Sequence, residues 1–466
     1  MPGSYPLRHR PLLVYVVLSV LTLGSAVCSV AQQAPSPKTL SLEEALALAV
    51  QYSPQVKEEQ FGVLRRQSQL SQANAARFAQ LKITAVVGPS PRARGNQISS
   101  PDSKLSPDIT GVFGRFEFSI VQPLYTFGKI KGFRDAATHG VAVSQAKVKE
   151  QATQVAMLVY EAYYGYQLAV ALEGLAQEIS ERLASTLDKV RRQLEAGAPG
   201  VDNIDLFKLQ AFQGELTKQL NDIRQGKALA LTGLRTLTGL DPETPLTLAD
   251  PDLRPHERDV DALERYVSDA HHLRPEFTQA REGVKAFEAL VRAAKAEYFP
   301  VIFLGVFGQL TEASNRDTFT NPFVFDPLND DVVAPVLGVR WNYDLGITAA
   351  KVDEAAAKLG QVQQKHALAE QGIPFQVRQA HLELLQHRDN IEATRTGFRN
   401  ARKWMVAAIS NFDLGIGEGK DVADAVVAYA KLRASYLQSV YNYNLALVKL
   451  DHAAGRDVAM VQSMLP

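Results

Sequence analysis

Cysteine is almost absent: the only one in the 466 residues is Cys28. A chain so poor in thiols has no disulfide framework and no thiolate cluster, so packing alone must hold it together. An excess of either charge is missing too. Lys plus Arg and Asp plus Glu stand at 50 each, leaving no bulk field to draw in nucleic acid or an acidic surface. The conspicuous apolar stretch, Leu12 to Leu23, is shorter than the roughly 20 residues a comfortable membrane-spanning helix needs. Disorder is excluded as well, because 46% hydrophobic content is ample for a packed interior. Proline and glycine gather in clusters, which leaves long uninterrupted stretches between them.

What is present begins with an export signal. Arg8, His9 and Arg10 form a basic start, Leu12 to Leu23 the apolar middle, and Ser29-Val30-Ala31 a small-residue cleavage site. Residues 1–31 are therefore expected to be removed. Cys28 could mark a lipid anchor, but Ser25-Ala26-Val27 matches such a signal poorly, and the cysteine is expected to leave with the signal. The mature chain would then be cysteine-free and slightly acidic.

The rest reads as one unit written twice, residues 32–255 and 256–466. Ser53-Pro54-Gln55-Val56 opens a helix-like stretch leading to the apolar segment Ile83 to Gly88, and about 220 residues later Arg274-Pro275-Glu276-Phe277 opens another leading to Val301 to Gly308. Loop-like segments follow, Pro89 to Thr110 and Thr311 to Ala334, and then second strand signals at Phe113 to Leu124 and Val333 to Tyr343. Their shared position in the repeat puts both loops on one side, and if the strands cross a membrane that side would be outside the cell. The exits Tyr125-Thr126-Phe127-Gly128 and Tyr343-Asp344-Leu345-Gly346 correspond. Each copy then enters a long helical pattern closed by glycine.

Period fixes those segments as helices. From Val155, small or apolar residues recur at Val159, Ala162, Tyr166, Ala169, Leu172, Ala176, Ile179, Leu183, Leu187, Val190 and Leu194, in the steps of three and four that suggest coiled-coil packing. A helix from Lys129 to Ala196 would be about 100 Å long, wider than any ordinary globular domain. Its counterpart, Ile347 to Leu414, should be kinked or interrupted at Pro374. Asn203 to Gly239 and Leu263 to Tyr298 would each reach about 55 Å, so two stacked end to end match one long helix. The proline-rich linker Leu240 to Pro255 would form an irregular belt halfway along.

The strands alternate. Phe116, Phe118 and Ile120 oppose Arg115, Glu117 and Ser119; Leu337, Val339, Trp341 and Tyr343 oppose Gly338, Arg340 and Asn342. A soluble half-buried sheet and a membrane strand with a polar lumen side both fit this pattern. The export signal and flanking aromatics lean to the membrane. About four strands cannot close a barrel that needs roughly eight, so membrane strands would require several copies to share one barrel.

These residues resemble the TolC family of outer-membrane efflux and secretion channels. Leu40-Ser41-Leu42-Glu43-Glu44-Ala45-Leu46-Ala47-Leu48-Ala49 with Ser53-Pro54 is similar to the family's N-terminal signature. Phe412-Asp413-Leu414-Gly415 through Lys420-Asp421-Val422-Ala423-Asp424-Ala425 is similar to its second helix-turn-helix tip. The resemblance implies a mostly α protein with a membrane β-barrel: a homotrimer sharing about 12 strands, continued by a periplasmic coiled-coil-like α-barrel. It implies partners too, a periplasmic adaptor, an inner-membrane pump and outer-membrane lipid, in a passive exporter of small molecules or proteins. Gly197, Ala198, Gly415, Ile416 and Gly417 would form the adaptor-docking tip, and Asp421 and Asp424 the pore gate. The plain alternative for that acidic pair is service to a helix N-terminus, and Asp202 and Asp205 repeat its spacing. Where several relatives carry a basic residue, two positions after the tip glycine, this chain has Gly417.

No enzyme is expected, and no cofactor, metal or nucleic acid. Gly415-Ile416-Gly417-Glu418-Gly419-Lys420 mimics a phosphate loop, but Leu414 stands where its first glycine should be and Asp421 replaces the hydroxyl residue. His271 and His272 point apart on a helix, and His381 and His387 fall on different faces. The competing reading is a soluble periplasmic coiled-coil scaffold or adaptor.

Overall fold

The computed structural model describes residues 38–95, 104–197, 201–319 and 321–465, apart from the side chains of 104–107. The signal sequence, Cys28 and Ala198 lie outside the described residues. Among those described, no helix is long and apolar enough to cross a membrane, which bears on helices alone.

The first half runs β1 (Lys38–Leu40), α1 (Leu42–Tyr52), α2 (Pro54–Ala75), β2 (Gln80–Arg94), β3 (Lys104–Tyr125), α3 (Lys129–Glu195), α4 (Asn203–Thr238) and β4 (Leu246–Leu248). The second runs α5 (Leu263–Leu273), α6 (Pro275–Lys295), a 3-10 turn Ala296–Tyr298, β5 (Val301–Ala313), β6 (Asp330–Arg340), α7 (Ile347–Asp413), α8 (Gly419–Ala454) and α9 (Asp457–Met464). The lengths correspond: α3 and α7 have 67 residues each, and α4 and α8 have 36 each. At about 1.5 Å per residue, the long helices reach roughly 100 Å.

The expected helix Leu263 to Tyr298 is broken. Proline disfavours a helical conformation in the residue before it, and Arg274 is extended, with ψ at 124°, ahead of Pro275. Ser53 does the same ahead of Pro54, closing α1 and capping α2 through its hydroxyl. Of the kink or break expected at Pro374 the break does not occur, since α7 runs on through it. Ile373 and Val377 on either side are buried against α5 and α8, and that packing outweighs a lost hydrogen bond.

Two strands outrun their sequence signals as well. β2 and β3 pair out to Arg94 and Lys104, so most of the loop expected over 89–110 is strand. Pro91 is accommodated because β2 is an edge strand and its register shifts there. In the belt, β4 pairs in parallel with β1, and α9 packs on α1 and α3.

The apolar interior forms three clusters strung along the rod. The first joins α1, the middle of α3 and the belt strands; the second joins the far halves of α3 and α7 to the starts of α4 and α8. The third joins α5 and the middle of α7 to the end of α8. The accessible surface, 29138 Å², compares with roughly 17,000 Å² for a compact monomer of this mass. The chain is elongated rather than compact.

Candidate functional site: a two-faced sheet and a helical tip

The antiparallel sheet has the order β2-β3-β5-β6. Residues paired across a ladder share a face, so the registers assign every side. One face carries Leu81, Ile83 and Val87, then Phe116, Phe118 and Ile120, then Leu304, Val306 and Leu310, then Val333, Leu337 and Val339. It is apolar across all four strands and open; Val87, Leu337 and Val339 are among its exposed residues. Close packing helps keep it smooth: a Cβ at Gly308 would lie 2.1 Å from the Phe118 ring opposite. The other face is mixed: Lys82, Thr84, Arg115, Glu117, Ser119, Gln309 and Thr311 stand beside Val86, Phe307, Val332 and Ala334, and several of these line a hollow of about 560 Å³. Nine such residues tilted about 40° span roughly 23 Å, close to the apolar band of an outer-membrane barrel.

Aromatic rings mark the end of the sheet where the helices begin. Phe127 stacks on Phe299 at 5.0 Å and meets Tyr125 edge-on at 4.6 Å, while Trp341 packs against Tyr343 and donates its indole N–H to the Tyr298 carbonyl. All are substantially exposed, as a girdle at a lipid–water boundary would be. Just beyond it, Glu297 bridges Lys129 of α3 at 2.9 Å and Lys351 of α7 at 3.2 Å. The hydrogen bond from Lys129 is the main reason its carboxyl is held below the usual glutamate range, with Lys351 adding to it. A depressed carboxyl stabilises the fold above its unfolded pKa, and that contribution fades as pH falls through the folded value. Unfolding of the purified protein followed from pH 7 to 3 should show wild type losing up to about 1 kcal/mol relative to Glu297→Gln. Parallel curves for the two proteins would mean the bridge is idle.

At the other end two helical hairpins lie side by side. α7 stops in a Schellman turn: Gly415 is left-handed at φ 76°, its N–H reaches Phe412 O, and the Ile416 N–H reaches Asn411 O. Gly197, left-handed at φ 65°, ends α3 with a bond to Leu194 O. The hairpins touch, since a Cβ at Gly419 would sit 3.4 Å from Asp205 Oδ2, and Lys189 pairs with Asp413 at 2.6 Å. Gly415 to Lys420 joins two helices, with no preceding strand of the kind a phosphate loop requires.

The two acidic pairs part company here. Asp202 accepts the Ile204 and Asp205 N–H groups at 2.8 and 3.0 Å, and Asp205, nearly buried, bonds back: a capping box. Asp421 and Asp424 are exposed on one face of α8 and, among the described residues, make no ion pair or side-chain hydrogen bond. That face is opposite the buried Val422, Ala423 and Val426. The first pair starts a helix. The second is left free for something else.

The histidines are scattered. His271 stacks on Phe277, His381 lies near Tyr266, and among the described residues no group of three ligating side chains gathers. Sequence reasoning missed the girdle's extent and the segment between β5 and β6, whose contacts involve residues some 200 positions apart.

Comparison with known proteins agrees with this geometry. Residues 266–456 match the family described as outer membrane efflux protein. The fold is that of a membrane protein from Pseudomonas aeruginosa (TM-score 0.75, 18% identity, 89% of this chain and 93% of that one). It is also that of the outer membrane protein VceC from Vibrio cholerae (TM-score 0.73, 18% identity, 89% and 96%). Protein CyaE of Bordetella pertussis is 26% identical over 301 residues, 64% of this chain and 61% of its own length. The chain is therefore matched over less than two thirds of that relative. These likenesses show the fold, and the family match covers the chain's second half, residues 266–456. The second half of the chain therefore resembles the outer membrane efflux proteins, and the solved structures share the chain's fold over 89% of its length.

Proposed function

We propose that this chain is the outer-membrane channel of a tripartite efflux pump or type I secretion system, a passive conduit and not an enzyme. One observation carries the reading: the sheet is apolar on one face, carries Lys82, Arg115, Glu117 and Gln309 on the other, and is open at both edges. Unpaired strand edges cannot stand in lipid, so β6 of one copy must meet β2 of the next. The helices form rows of matching sense, α2-α3-α6-α7 towards the sheet and α4-α3-α8-α7 towards the tip, with α7 at one edge and α2 or α4 at the other. A head-to-tail contact of this kind closes as a ring, and three copies give the barrel about 12 strands.

In that ring residues 32–255 and 256–466 act as two quasi-equivalent units. The ends of β2–β3 and β5–β6 remote from the helices face outside. The tip glycines Gly197, Gly415 and Gly417, with Ala198 and Ile416, meet a periplasmic adaptor, behind which stands the inner-membrane pump. Asp421 and Asp424 ring the periplasmic entrance as its gate. A soluble scaffold would leave the apolar face of the sheet uncovered in water. Planar-bilayer recording from the purified protein separates the two readings.

A further inference from the structure

The segment between β5 and β6 folds back over the polar face at the end of the sheet remote from the helices. Arg316 and Asp326 pair at 2.8 Å with side chains only 4% and 5% exposed, and the other Arg316 terminal nitrogen donates to Pro91 O at 2.8 Å. Asp317 accepts from Arg94 and from the Gly95 N–H, both at 2.9 Å, and Asn315 bridges Arg94 and Thr110. Arg115, on the polar face of β3, donates to Pro327 O at 2.9 Å. Ser90 and Ala93 are fully covered, and Thr311 is nearly so. Two turns shape the far part of the segment, Asn321 accepting the Phe323 N–H and Asp326 the Leu328 N–H. Between them Phe323 and Phe325 stand 88% and 71% exposed.

Two large rings left bare on a segment otherwise fastened in place call for a use. We infer that this segment is a lid on the outer mouth, latched to the lumenal face through Arg316, which Asp326 holds in place to donate to Pro91 O, and holding Phe323 and Phe325 across the opening. The inference rests on the channel reading. Phenyl rings contributed by each copy around the axis would form an apolar constriction, which impedes ions by shedding water. The latch is suited to release. Arg316 Nε and Asp326 Oδ2 are buried without a partner among the described residues. A buried ion pair so incompletely satisfied adds little net stability to the closed form.

Ser90→Cys reports on the closed lid, using a membrane-impermeant maleimide on whole cells. It should label slowly with the lid intact and about tenfold faster when Asp326→Asn is added, because reaction at a covered site requires local opening. The Phe323→Ser/Phe325→Ser variant changes only exposed side chains, and its single-channel conductance in planar bilayers should rise about twofold. The lid is refuted if Ser90→Cys in the latched protein labels as fast as an exposed cysteine placed at Thr318. It is equally refuted if the double serine variant conducts like wild type. Absence of any conductance from the unaltered protein would instead remove the channel, and the lid with it.

Discussion

Replacing both Asp421 and Asp424 with alanine is expected to lower cation preference and to weaken block by multivalent cations about tenfold in bilayer recordings. Two free carboxylates per chain around a symmetry axis make a ring of acid, and a ring concentrates negative potential where a single surface carboxylate is largely screened. Neither side chain makes an ion pair or hydrogen bond among the described residues, and Asp421 adds only a first-turn charge to α8, so the protein should assemble as before. Asp202→Ala/Asp205→Ala makes the opposite forecast. Loss of the capping box should cost about 1–2 kcal/mol of helix stability at α4 and leave ion selectivity nearly intact. If the two double variants shift selectivity alike, or the first leaves it untouched, the gate lies elsewhere along the pore.

Placing glutamate at Phe375 and Leu382 of α7 should abolish the oligomer while leaving the folded chain. Each side chain is 66% exposed, so neither contributes much to the protomer's own interior. Leu382 sits as far down α7 as Tyr164 does down α3. At that depth Leu158, Leu168, Leu172 and Leu229 line a mostly apolar groove between α3 and α4. Ring closure brings the α7 edge of one copy to the α4 edge of the next, and there the two apolar features meet. Burying each side chain is worth about 1.5–3 kcal/mol, repeated at every interface of the ring, and a buried carboxylate reverses the sign. Gel filtration in detergent should show monomer with unchanged helical circular dichroism. A variant that still runs as wild-type oligomer would place the contact on another face.

How much of this was legible in the sequence depended on the range of the determining interaction. The long helices were readable to within a residue, because apolar steps of three and four persisted from Val155 to Leu194 and a glycine closed each run. The strand faces followed from alternation at Arg115–Ile120. Pro374 misled because a local rule was overruled by packing of Ile373 and Val377 against helices distant in sequence. Arg274-Pro275 was underused, since the same rule that failed at Pro374 holds where no such packing flanks the proline. Among the candidate site residues, spacing alone could not separate Asp202/Asp205 from Asp421/Asp424. Only the hydrogen bonds of the capping box do so. The segment over the polar face was illegible, because its bonds from Arg316 to Pro91 and from Arg115 to Pro327 depend on the register of the whole sheet.

On the channel reading, several copies of this chain enclose a water-filled path across a membrane. Purified in detergent as the full chain and added to one side of a planar lipid bilayer, the protein should give discrete, long-lived steps of ion conductance. Those steps should track the oligomer and vanish for the α7 glutamate variant. A protein that extracts in plain buffer and leaves the bilayer silent would contradict the account, and its two-faced sheet would then need a soluble partner to cover it.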